Sequence, residues 1–172
     1  MSSSSGAAAQ AWSRLRTVLD HLLQAGTQGY PPAIRQRLSV VNFMACLIFL
    51  ASLNYALIYA VSDFERYRAF VLINLLLCAL AFAVPFFHRF GESAGGIFIA
   101  VFEYAGLFAL TVLLGHDSGI PLNYIIGAAV PFLAFDRARH WLIISVIVAG
   151  LLLHLAARFL LPAGSPFIQA DP

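Results

Sequence analysis

The sequence predicts an all-α, polytopic transmembrane helix bundle, with five spans present of an expected six and a short amphipathic helix ahead of them. Three observations predict it. Five long apolar stretches, 40–61, 70–87, 94–114, 120–135 and 141–161, fill most of the 172 residues. Hydrophobic residues make up 61% of the chain and charged residues 10%, lysine is missing altogether, and the mean hydropathy is +0.86, a composition that suits a bilayer rather than water. The charges fall almost entirely between the stretches, most of which approach the 20 or so residues that an α-helix needs to cross a hydrocarbon core about 30 Å thick.

Residues 1–38 read as a cytoplasmic N-terminal tail and amphipathic helix. The Ser/Ala-rich segment 1–10 is expected to be disordered. Trp12, Leu15, Leu19, Leu22 and Leu23 then recur at helical spacing, with Arg14, Arg16, Asp20 and Gln24 between them, which predicts a helix over 10–24. Such a helix serves as an interfacial or packing segment, or as a cytosolic element touching an effector domain. Gly26, Gly29, Pro31 and Pro32 break it, and the next helix can begin with proline in its first turn. The first apolar run starts too late and runs too long for a cleavable signal peptide.

Residues 39–161 read as a transmembrane sensor or regulatory domain. Its fourth stretch is the shortest and carries Pro121, Asn123, Gly127 and Pro131. It reads as a tilted or kinked span, since 116–119 and 136–140 give it polar ends, with a re-entrant segment as the alternative. Residues 162–172 read as an extracytoplasmic turn before a sixth helix that the chain lacks.

Arginine placement gives the orientation. Arg14, Arg16, Arg35 and Arg37 precede the first span, Arg89 follows the second, and Arg137 and Arg139 follow the fourth. The intervening gaps either balance Arg66 and Arg68 with Asp63 and Glu65 or, at 116–119, hold no Arg or Lys. Basic gaps thus alternate with non-basic ones, which places the N-terminus in the cytoplasm. A net charge of +2 with this distribution gives no reason to expect a nucleic-acid partner.

Three segments carry a resemblance to a known family: AGTQGYPPAIRQRLSVVN at 25–42, GHDSGI at 115–120 and PFLAFDRARHW at 131–141. They resemble the multi-pass, typically six-span membrane domain found ahead of bacterial class III adenylate or guanylate cyclases and of related sensor histidine kinases. The family's Gly-x-Asp/Glu-Ser-Gly loop falls on Gly115, Asp117, Ser118 and Gly119, and its Pro-Phe-Leu-x-Phe run on 131–135, followed by Asp136. The resemblance implies a module of the bacterial inner membrane that acts on a cytosolic output domain. This chain departs from the pattern in carrying neither the sixth span nor catalytic sequence, which reads as a truncated input module.

The polar residues inside the spans are the candidate site. Glu103, flanked by Tyr104 in the third span, is costly in hydrocarbon unless it faces the bundle, is protonated or finds a partner. It could fix packing, bind a cationic or polar ligand, or respond to protonation, and it is the first choice for ligand binding or coupling. Asn54, Asn74 and Asn123 complete the set, each able to make interhelical hydrogen bonds worth about 0.5–2 kcal/mol. His116, Asp117 and Ser118 form a tight extracytoplasmic loop in which Asp117 can cap the next helix and Gly119 can take a permissive backbone conformation.

No metal site is expected, since a lone His-Asp pair lacks the ligand spacing of a zinc or calcium site. No cofactor is expected either. His154 reads as a packing or hydrogen-bonding residue, because a bis-histidine haem needs a second placed imidazole. Cys46 and Cys78 read as small buried hydrophobes. Small residues at 95–96, 127–129 and 149–150 allow close helix approach, within the chain or in a dimer.

No soluble catalytic constellation is present. The leading expectation is therefore a membrane input and dimerisation domain of an adenylate or guanylate cyclase. Its partners would be membrane lipids, a second copy, and a lipophilic small molecule or membrane protein as signal. The alternatives are the membrane domain of a histidine kinase, a small-solute or proton transporter, and a structural assembly module.

Overall fold

The computed structural model describes residues 3–165, with side chains throughout except at 3–9, Ala11 and Leu15. Met1, Ser2 and 166–172, most of the expected extracytoplasmic turn, lie outside the described residues, as does the Leu15 side chain of the amphipathic pattern.

Helix α1 spans Ser3–Leu23, so it starts seven residues ahead of the expected position and takes in most of the expected tail. The run Ala7–Ala9 explains the difference, because alanine has the highest intrinsic helix propensity of any residue. Trp12, Val18 and Leu19 on this helix stay exposed.

The chain then turns through Gly26 and Gly29, both at positive φ, into α2, Pro32–Phe87, which has proline in its first turn as expected. This 56-residue element is interrupted at one position, Asp63, with φ −166° and ψ 92°. There the Asp63 Oδ1 accepts the Arg66 N–H at 3.1 Å, as an N-cap does. The arms 32–62 and 64–87 fold back on each other. The Tyr59 ring lies 4.4 Å from Phe70 and 4.7 Å from Tyr67, and the Cys78 thiol reaches the Phe49 carbonyl at 3.5 Å. A 3₁₀ turn, His88–Phe90, closes the second arm.

Helix α3, Ala94–Leu114, returns along α2. A second 3₁₀ turn, His116–Ser118, leads to two short helices, α4 at Leu122–Gly127 and α5 at Val130–Ala134. A third, Arg137–Arg139, precedes α6, His140–Leu160.

The expectation of five spans is corrected. Among the described residues three helices are long and apolar enough to cross a membrane: Pro32–Phe90, Ala94–Leu114 and Arg137–Leu160. Two physical causes account for the difference. The polar gap at 62–69 stays helical except at Asp63, so the first two stretches form one folded element. Pro121, Gly127 and Pro131 fragment the fourth stretch, and Leu122–Ala134 rises only about 20 Å at 1.5 Å per residue.

The core lies between α2, α3 and α6, with Val41, Leu77, Val84, Ile99, Phe102 and Ile143 at its centre. Phe87 stacks on Phe98 at 3.8 Å. Many apolar residues point outward, among them Phe82, Val101, Leu152 and Phe159, as expected of a protein solvated by lipid. The paired small residues serve contacts within the chain: a Cβ at Gly96 would meet the Phe135 ring, and one at Gly150 the Tyr104 hydroxyl.

Candidate functional site

At one end of the bundle a buried polar knot ties the α1–α2 link to the interior. Asn42, 1% exposed, donates both Nδ2 protons, to Leu23 O and Ala25 O at 2.9 Å each. That fixes its amide orientation, so Oδ1 accepts from His88 Nε2 at 2.8 Å and the His88 proton sits on Nε2. The Tyr30 hydroxyl donates to His88 O at 2.6 Å. The His88 ring, fully buried, lies where a Cβ on Gly95 of α3 would be. Gly26, at φ 70°, passes so close to Pro85 that a Cβ there would collide with the Pro85 carbonyl oxygen.

Two ion pairs fasten the same end. Arg37 of α2 meets Asp136 at 2.7 Å, and Arg139 meets Glu92 at 2.5 Å. The Ala138 backbone N–H and then the Arg37 guanidinium hold the Asp136 carboxyl below its ordinary range. The segments 25–42 and 131–141, noted separately in the sequence, are thus brought together here.

The opposite end holds the His116–Ser118 turn. Arg158 of α6 reaches Asp117 Oδ1 at 3.1 Å, and His116 Nδ1 lies 2.9 Å from the same oxygen. Backbone N–H groups of His116 and Asp117 donate to Pro162 O and Ala163 O. Gly115, at φ 85°, sits against Ala163 and Gly164 without room for a Cβ. Ser118 Oγ donates back to Gly115 O at 2.7 Å. These three loop residues come together in a turn bonded to the end of α6. His154, one turn before Arg158, donates Nδ1–H to Pro121 O at 2.9 Å, so its role is a hydrogen bond. Among the described residues no group of three or more His, Cys, Asp or Glu is placed to hold a metal.

Between the ends lies a cavity of about 220 Å³, bounded by the first arm of α2, by α3, by α4–α5 and by α6. Glu103, Tyr104 and Asn123 supply its polar lining, and Met44, Ile99 and Val146 are among its apolar walls. Glu103 Oε2 is buried with no hydrogen-bond partner among the described residues. Tyr104 donates to Val146 O at 3.1 Å and its ring stands 5.7 Å from Tyr124. Asn123 donates to Ile120 O at 3.1 Å.

The other two asparagines lie elsewhere. Asn54 is exposed on the outside of α2. Asn74 is buried and bonds back to Phe70 O at 2.9 Å within its own helix. Neither Asn42 nor His88 had a place in the candidate site read from the sequence. The available signal was that Gly26, Tyr30 and Asn42 all fall inside the segment that carries the family resemblance.

Residues 27–170 match the MASE7 family. The chain belongs to the MASE7 family. The matched range begins at Thr27, so α1 lies outside it, while Asn42, His88, the cavity and the 115–119 turn lie inside. This MASE7 domain is a multi-pass, membrane-embedded sensor domain loosely related to bacterial adenylate cyclases. Three proteins named adenylate cyclase, one from Mycobacterium bovis and two from strains of Mycobacterium tuberculosis, are each 24% identical to it over 139 residues. The match covers 81% of this chain and 31% of each relative, so the chain spans about a third of the length of the curated relatives it matches. No solved structure matches it.

Proposed function

We propose that this MASE7 domain is the input domain of a bacterial adenylate or guanylate cyclase, sensing a signal within the inner membrane and passing it to a cytosolic catalytic domain. The observation that carries this reading is the asymmetry of the match: 81% of this chain corresponds to only 31% of proteins named adenylate cyclase. A lipophilic signal would enter at the Glu103 cavity, whose walls belong to four parts of the bundle. Glu103 shares α3 with Gly95, on which the His88 ring is seated, so a shift of α3 would be felt by the knot that holds the α1–α2 link. Arg35, Arg37, Arg89, Arg137 and Arg139 collect at the knot end, and by the positive-inside tendency that end, with the N-terminus, faces the cytoplasm. Two copies would pair in the membrane, bringing two output domains together.

The test is cyclic-nucleotide production in membranes by the full-length gene product, beside Glu103→Gln and a version lacking residues 1–172. Output altered by both changes supports an input domain with Glu103 in the switch. Output insensitive to both rejects it and leaves anchoring or dimerisation. Absence of cyclase activity redirects the search to kinase output or transport.

A further inference from the structure

The polar groups of the cavity are used unevenly. The Tyr104 hydroxyl gives its proton to Val146 O, and Asn123 turns its amide nitrogen to Ile120 O, which leaves each with a free oxygen lone pair. Glu103 adds a buried oxygen with no partner. With Glu103 ionised, the side-chain valences left open at the cavity, apart from the second N–H of Asn123, are acceptors. Among the described residues no Arg, Lys or His lines it, so none of these walls offsets a carboxylate charge.

A carboxyl in such a low-dielectric, uncompensated site either takes up a proton or is met by an occupant that supplies both donors and positive charge. An ammonium does so, with three N–H donors and no acceptor. Size limits the rest of the molecule. The cavity measures about 220 Å³, and a dry cavity of about 150 Å³ is enough to hold benzene, so a single ring or a branched group of similar bulk fits. Access is lateral: Leu47 and Ile126, both in the lining, are 50% and 69% exposed on the outer surface. Glu103 stands near the middle of α3, Ala94–Leu114, well away from either membrane surface. A phospholipid amine is a poor fit, since its phosphate would be drawn to that depth with no cation among the lining residues.

We propose that the Glu103 cavity binds a membrane-partitioned amine with a compact apolar body, its ammonium held by Glu103 and its ring between α3 and α4–α5. The inference rests on the input-domain reading for the amine's role as signal, and on the cavity alone for the binding.

The test is binding by the full chain in lipid nanodiscs, with empty nanodiscs subtracting partition into lipid. Phenethylamine is compared with phenethyl alcohol, its neutral counterpart of nearly equal shape. Saturable binding of the amine is expected. The alcohol should bind at least about tenfold more weakly, Glu103→Gln should weaken the amine by a similar factor, and Ala100→Phe, which fills the cavity, should abolish binding. Equal affinity for amine and alcohol, or no saturable binding of the amine, overturns the proposal. The amine–alcohol comparison needs no variant, so a misfolded Glu103→Gln leaves the test decisive. The two readings separate cleanly. Amine binding that leaves cyclase output unmoved defeats the input reading and keeps the site. Output that depends on residues 1–172 without amine binding defeats the site and keeps the input reading.

Discussion

The Asn42–His88 knot and the Glu103 cavity are both polar clusters in an apolar bundle, and they differ in which hydrogen-bonding groups are left open. Asn42 commits both amide protons and its carbonyl oxygen, and His88 commits Nε2–H and its backbone carbonyl. In the knot only His88 Nδ1 is left without a partner, a neutral ring nitrogen, whereas at the cavity the open atom is a carboxyl oxygen, Glu103 Oε2, among the described residues. Burial of a polar group costs little when its partners are in place and about 1–3 kcal/mol or more when they are not. The knot therefore holds structure together, and the cavity keeps a binding capacity that works against stability until something occupies it. The two clusters should respond to mutation with opposite signs.

The largest effect is expected at the edge of the knot. Gly26→Ala would combine a positive φ with a backbone collision at the Pro85 carbonyl, where no side chain can move aside. Stability should fall by at least about 3 kcal/mol, read as a large drop in Tm of the purified protein. Asn42→Leu, similar in volume, strips partners from two carbonyls and from the His88 N–H. A loss of about 2–3 kcal/mol is expected, and a Tm equal to that of the parent would show that the knot is dispensable.

At the cavity the sign reverses. Glu103→Leu removes a buried carboxyl that lacks a partner, and should raise stability by about 1 kcal/mol while removing amine binding. A marked fall in Tm on this change would place Glu103 in the structural class with Asn42 and erase the contrast.

The smallest effect belongs to the ion pair beside the knot. Asp136 has its carboxyl pKa lowered in the folded state, first by the Ala138 N–H and then by Arg37. Its contribution is present above the ordinary carboxylate range and is lost as pH falls through the lowered value. Asp136→Asn should flatten this acid limb of the Tm-against-pH curve and leave the limb above neutrality unchanged. An unaltered acid limb would remove Asp136 from the fastening of that end.

Much of this was legible in the sequence, for reasons tied to particular residues. Apolar stretches near 20 residues announced α3 and α6, because length and hydropathy are local quantities that a bilayer selects directly. Pro32 announced the start of α2, and Pro121, Gly127 and Pro131 announced a disturbed fourth stretch. Glu103 stood out because a carboxylate amid Phe102 and Tyr104 is rare enough to need a reason.

Other features were not legible, since they depend on which residues meet across the bundle. Whether Asp63 would end a helix or bend one depended on the capping bond to Arg66 and on Tyr59 finding Phe70. Asn54, Asn74 and Asn123 are equivalent in the sequence, yet one faces outward, one bonds its own helix and one lines a cavity. A helix fixes only the 100° step from one side chain to the next, and the rotation of each helix about its axis is set by packing against its neighbours.

The sequence by itself determined that this is an all-helical membrane protein, where its helices break, and that an acidic residue sits among them. Only the tertiary structure decided which breaks fold a helix back on itself, and that Asn42 is bound at both ends of its amide while Glu103 Oε2 is open. Hydropathy and backbone preference act along the chain, whereas hydrogen-bond satisfaction in a low-dielectric interior depends on partners far apart in the sequence, as Asn42 and His88 are.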